Sequence, residues 1–187
     1  EKFLMENLES AHNFIMPSRF DSAFKLSYIY KINHGLVNNT FYDDIYASHI
    51  NVVTNGTCSE FDSDTKNNLD AYFNEFDLLI ESIKTSGFNA KQSPVPLNKK
   101  GVPVNGAHRI ACCVFYDKKI PVMFNENCQS IDYSYQKFDT LPSQEFIKIA
   151  NYFYCHFASK PVHVAFLWPE GGDKSQLFLD ALSKDDI

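Results

Sequence analysis

The sequence predicts an α+β fold, a small mixed sheet with helices plus a helical N-terminal extension. Three observations predict it. Residues 64–83 carry Leu69, Tyr72, Phe73, Phe76, Leu79, Ile80 and Ile83 at intervals of 3, 1, 3, 3, 1 and 3, the period of an amphipathic helix. Short apolar runs at 95–97, 102–104 and 120–124 sit between Pro and Gly punctuation and read as strands. Helix-like and strand-like segments follow one another with no internal repeat and no low-complexity linker.

In chain order, residues 1–16 read as a helix with Phe3, Leu4, Leu8, Ala11 and Ile15 on one face. Ser18 reads as the N-cap of a second helix over 19–34, with a stripe of Phe20, Phe24, Tyr28 and Ile32, ended by Gly35. A third, aromatic helix covers 40–50. The amphipathic helix opens at Asp64 and closes at Ser86-Gly87. Residues 95–97 and 102–104 pair as a hairpin, and a helix occupies 110–116. Strands follow at 120–124 and 131–138, a helix at 142–157, a near-continuous apolar strand at 162–168 and a last helix after Asp173. The whole is expected to form one domain: an extension over 1–56, a core over 57–125, and a completing portion over 126–187.

At 187 residues the chain is too short for two well-cored domains. Its 44% hydrophobic and 21% charged residues argue against disorder. A net charge of −6 argues against a partner gripped through nucleic-acid phosphates, so any anion must be held locally. No apolar run reaches the roughly 18 residues that span a bilayer. No signal-peptide pattern opens the chain, and its start at Glu1 suggests a piece of a longer polypeptide. Five irregularly spaced cysteines make neither a disulfide framework nor a zinc site; Cys112 and Cys113 read as small buried hydrophobes, and a reducing cytoplasm fits best. The sequons at Asn38 and Asn55 read as chance matches.

One constellation carries chemistry: strand, then Asn105-Gly106-Ala107-His108-Arg109, then helix. A helix N-terminus offers free N–H groups and the positive end of a dipole. Gly106 permits close approach to the backbone, and His108 and Arg109 add side-chain donors. Together they make a pocket for phosphate; the competing reading is a turn glycine beside two surface polar residues.

The order of these pieces resembles the ParB/sulfiredoxin superfamily. The matching pieces are Ser82-Ile83 with Gly87, then Ser93-Pro94-Val95-Pro96, then residues 105–111, spanning roughly 57–125. The resemblance implies the fold and a nucleotide site. Sulfiredoxins use a Cys directly before His-Arg, and this chain has Ala107 there. ParB proteins add a basic DNA-binding domain, and no segment after residue 140 is basic overall or built that way. A free-serine kinase of the superfamily uses a Glu upstream of the helix as general base, and Glu60 holds the matching place.

By that resemblance, the chain is expected to be a kinase moving a phosphoryl group from ATP to a hydroxyl of a small molecule, sugar or glycan. Glu60, His108 and Arg109 are the catalytic candidates. Asn105, Gly106, Ala107, His108, Arg109 and Lys66 would hold the nucleotide. Asp62 and His163 would touch substrate, and Asn105 would meet a magnesium ion (Mg2+) where the kinase has Asp. The bland alternatives are a solvated loop carboxylate for Glu60, a surface lysine for Lys66, a helix-capping acid for Asp62 and a core histidine for His163. The loop Glu170-Gly171-Gly172-Asp173 is a further substrate-loop candidate, Arg19 and Asp21 a polar anchor beside the site, and Tyr133 and Tyr135 a stacking pair. A non-catalytic ATP- or CTP-binding regulatory module of a larger protein is the alternative function.

Overall fold

A computed structural model describes residues 8–60, 65–88, 94–125, 127–128 and 132–160. Among them it shows five α-helices and a three-stranded mixed sheet, so the chain is α+β. The elements are β1 (Leu8–Ser10), α1 (Asp21–Asn33), α2 (Phe41–Val53), α3 (Leu69–Ser86), β2 (Val95–Leu97), α4 (Ala107–Phe115), β3 (Lys119–Phe124) and α5 (Gln144–Phe157). Single 3-10 turns cover Ala11–Phe14 and Tyr135–Phe138.

The sheet order is β1-β3-β2. β1 runs antiparallel to β3, with Glu9 opposite Ile120; β2 runs parallel to it, with Val95 opposite Val122. A parallel pair needs a crossover connection, and α4 lies in it. The predicted helix over 1–16 is overturned where it is described: residues 8–10 are a strand. An isolated short helix is marginal, and the edge of β3 offers backbone partners that local periodicity does not reveal.

The expected hairpin shrinks to one bridge, Leu97 with Pro103. Pro96 and Pro103 lack N–H donors, so no ladder can extend. Asn98 shapes the turn instead, its Oδ1 accepting the N–H groups of Lys100 at 2.9 Å and Val102 at 3.0 Å. The expected strand over 131–138 is a single bridge from Tyr133 to Arg19 followed by a 3-10 turn. Asp132 curls the chain there by accepting the Ser134 N–H at 2.9 Å.

Helix boundaries shift for local reasons. α3 starts at Leu69, not Asp64, because Asn68 caps it by accepting the Ala71 N–H at 2.9 Å. Ser18 does not cap α1, whose first residue is Asp21. Gly35, at φ +62°, closes α1, with the Leu36 N–H returning to Lys31 O at 3.1 Å. The helix predicted at 110 begins at Ala107.

α1 is no extension. Every residue from Asp21 to Ile29 is buried, because α2, α4 and α5 pack around it. One hydrophobic core runs from Ala11 to Tyr154 through all five helices. No helix among the described residues is long and apolar enough to cross a membrane. The strand and helix expected beyond residue 160 lie outside the described residues.

Candidate functional site

The first turn of α4 is the predicted phosphate loop. Gly106 caps it at φ +86°, a conformation that disfavours residues with a Cβ. The first helical bond runs from the Ile110 N–H to Gly106 O at 2.9 Å, so the N–H groups of Ala107 and His108 have no intrahelical acceptor. Gly106 also makes room for Arg109: a Cβ on it would stand 2.9 Å from Arg109 Nη2 and 3.0 Å from Val95 Cγ2. The guanidinium therefore folds back over the start of its own helix. Burial holds its pKa below the ordinary value.

His108 lines the cleft with its ring held by Tyr46 and Phe76. Its Nε2 is 2.8 Å from the Tyr46 hydroxyl, and its ring lies edge-on to Phe76 at 4.7 Å. Burial, then Lys25 and Lys66, hold its pKa well below 6.5, so the imidazole is neutral. Asn105 is exposed at the cleft, its Oδ1 accepting the Gly106 N–H at 2.6 Å. The oxygen expected to meet magnesium thus already takes up one N–H of the loop.

Glu60 and Lys66 are in direct contact. The Glu60 N–H donates to Lys66 O at 2.8 Å, and Lys66 Nζ lies 2.9 Å from Glu60 Oε2 and 3.8 Å from Glu75. Lys66 also sits 5.6 Å above the Tyr72 ring. Burial and then the Glu60 carboxylate push the Tyr72 phenol up to about 12, so it stays protonated at neutral pH.

These residues border a cleft of two lobes. The smaller, about 390 Å³, is lined by Gly106, Arg109, Lys66 and Glu75. The larger, about 540 Å³, is lined by Arg19, Asp21, Lys25, His49 and Tyr133. Glu60, Tyr72, Asn105 and His108 line both, forming the wall between them.

The floor of the larger lobe is a buried polar cluster. Asp21 accepts from Arg19 Nε at 2.9 Å and Nη2 at 3.0 Å, a bidentate pair, and from Lys25 Nζ at 3.0 Å. Arg19 Nη1 donates to Pro103 O at 2.7 Å, tying this cluster to the loop before α4. Lys25 Nζ also lies 3.1 Å from His49 Nε2. Burial alone would raise the Asp21 carboxyl, but Lys25 and Arg19 overcome it and hold it well below the usual range. Burial brings Lys25 down to about 8 despite Asp21, and holds His49 well below 6.5.

The structure thus brings Glu60, Lys66, Asn105, Gly106, Ala107, His108 and Arg109 to one cleft, and Arg19 and Asp21 to its floor. Asp62, His163 and the loop at 170–173 lie outside the described residues. Tyr133 lines the larger lobe, its ring 5.4 Å from the Arg19 guanidinium carbon, whereas Tyr135 packs on Phe20. Sequence reasoning missed Lys25, Tyr46, His49 and Tyr72; the one available signal was the i,i+4 spacing of Asp21 and Lys25. Cys112 and Cys113 are buried in α4, and burial raises both thiols, Cys113 to about 12.

Comparison with protein-family models, with curated proteins and with solved structures finds no match to this chain. The function is therefore read from the chemistry of the cleft.

Proposed function

We propose that the chain is a nucleotide-dependent phosphotransferase of ParB/sulfiredoxin type, moving the γ-phosphoryl group of ATP to a hydroxyl of a small molecule, sugar or glycan. The observation that carries this reading is the position of Glu60 on the wall shared by the two lobes. A base for phosphoryl transfer has to stand where donor and acceptor meet.

In this reading the smaller lobe holds the phosphates against the first-turn N–H groups of α4 and the Arg109 guanidinium. Glu60 accepts the proton of the acceptor hydroxyl in the larger lobe. The hydroxyl oxygen bonds to the γ-phosphorus, the bond from that phosphorus to the bridging oxygen breaks, and ADP leaves with the electron pair. Lys66 passes from Glu60 to the transferring phosphoryl group and balances its charge. Tyr72 and neutral His108 shape the wall.

A magnesium ion would be held chiefly by the nucleotide's phosphates and water, with Asn105 Oδ1, which also accepts the Gly106 N–H, as the residue that would meet it. No step is routed through a metal. The unpaired thiols of all five cysteines suit action in a reducing cytoplasm.

A specific observation supports a second reading. The Lys66–Glu60 ion pair at 2.9 Å also suits a purely structural carboxylate in a nucleotide-binding regulatory module. Titration with ATP and assay of phosphate transfer to a panel of polyols, sugars and hydroxy acids decide between them. Glu60→Gln should abolish transfer while ATP still binds. Full transfer by that variant overturns the mechanism, and ATP binding without transfer by the unaltered chain favours the regulatory module.

A further inference from the structure

The described residues of the larger lobe leave its charge unbalanced. Arg19 and Lys25 bring two positive charges and Asp21 one negative charge, all three at most 3% exposed. Two buried cations on one carboxylate leave one charge over, and an uncompensated buried charge is costly. Among the described residues the other acid lining this lobe, Glu60, is already paired with Lys66. Holding Asp21 deprotonated while His49 stays neutral leaves the surplus in place at neutral pH.

The donors are as unbalanced as the charges. Lys25 Nζ contacts Asp21 O at 3.3 Å, Asp21 Oδ2 at 3.0 Å and His49 Nε2 at 3.1 Å, which uses its three N–H bonds. Because the ammonium can only donate, His49 Nε2 is the acceptor, and the neutral ring carries its proton on Nδ1. That Nδ1 is buried with no hydrogen-bond partner. The Arg19 guanidinium spends three of its five N–H bonds on Asp21 and Pro103. A lobe of about 540 Å³ thus has a floor with one surplus positive charge and N–H donors to spare.

We infer that this lobe is a subsite for an acceptor bearing one carboxylate, a hydroxy acid or sugar acid, seated over Arg19, Lys25 and His49 with its hydroxyl towards Glu60. A monoanion balances the floor, whereas a neutral polyol leaves the charge standing and a phosphate monoester overshoots it. The assignment of the hydroxyl rests on the phosphotransferase reading; the anion selectivity does not.

The test is calorimetric titration of the chain, without nucleotide, with a panel of hydroxy acids and sugar acids, each beside its neutral polyol and its phosphate ester. At least one acid should bind about tenfold or more tighter than its polyol, the scale of one charge-assisted hydrogen bond. Lys25→Met, which leaves Arg19 and Asp21 a balanced pair, should erase most of that preference while ATP titrates as before. A merely structural lysine would leave the preference intact or weaken both ligands together. Equal binding of acid and polyol, preference for the phosphate ester, or no binding of any acid overturns the subsite. Acid selectivity without phosphate transfer would instead sink the phosphotransferase reading alone, and transfer to neutral polyols without acid selectivity would sink the subsite alone.

Discussion

The hydroxyl of Tyr46 on α2 and Nε2 of His108 in the first turn of α4 stand 2.8 Å apart, joining positions 62 residues apart in the chain. Both side chains sit among aromatic rings, with Phe76 4.7 Å from His108 and 5.2 Å from Tyr46. The N-terminal helices thus hold the start of α4 by a polar contact as well as by packing. Tyr46→Phe keeps the ring and strands the histidine nitrogen. The expected cost is about 1–3 kcal/mol, the penalty of an unsatisfied buried polar group. Urea denaturation of the variant beside the parent chain measures it, and equal midpoints would show that the contact carries nothing.

Gly106→Ala combines two penalties. The residue sits at φ +86°, and a left-handed backbone costs roughly 1–2 kcal/mol once a Cβ is present. That Cβ would also meet Arg109 Nη2 at 2.9 Å and displace the guanidinium from the helix start. The variant should lose stability by this amount and bind ATP more weakly. An alanine that leaves ATP affinity unchanged would mean that Arg109 does not hold phosphate.

How much of this was legible depends on how local each determinant is. The stripe of α3 and the position of β3 could be read because the apolar spacing that defines them is local. The need for Gly106 could be read too, since a strand-to-helix turn asks for a permissive residue. β1 could not, because its partner Ile120 lies far along the chain from Glu9. The central place of α1 was hidden for another reason: Lys25 and Lys31 mark a solvated face in any periodicity argument, yet both are buried, Lys25 against Asp21 and Lys31 against Asp43. His49 meets Lys25 only through the packing of α2 on α1, so one wall of the larger lobe had no signal in the sequence.

The buried cluster predicts an asymmetry between two single substitutions. Asp21→Asn leaves Arg19 and Lys25 buried without a counter-charge and should cost about 3–5 kcal/mol. Lys25→Met removes the surplus charge, leaves the bidentate Arg19–Asp21 pair, and should cost far less. Thermal melts of the two variants side by side read the difference directly. Equal destabilisation would show that the charge count on this floor is wrong.

Arg109→Ala probes the phosphate cradle without touching the base. Loss of one charge-assisted contact should weaken ATP by about 1–3 kcal/mol, or roughly tenfold to a hundredfold. The side chain is partly buried and folds back over Gly106, so its removal also opens space there. Competition with inorganic tripolyphosphate separates the two effects, since a lost phosphate contact weakens both ligands and a reshaped base pocket weakens ATP alone.

Acid should destabilise this protein before its carboxylates titrate. Burial, reinforced by Lys25, holds both His49 and His108 well below the ordinary value of 6.5. For His49 the other facing charges are Asp21, which opposes the shift, and Arg19, which adds to it; for His108 they are Lys66, His49 and Asp21. Below pH 6.5 the unfolded chain gains protons on these residues that the folded chain refuses. Stability is therefore fully present above that value and is lost as the pH falls through it. Each proton is worth about 1.4 kcal/mol per pH unit, so moving from about pH 7 to about pH 5.5 should remove roughly 2–3 kcal/mol. Asp21, held low by its cations, adds its own loss only further down, below 3.8. Urea denaturation at the two pH values measures the loss, and His49→Gln should remove about half of the slope. A flat profile across this interval would show that neither ring is held neutral by burial.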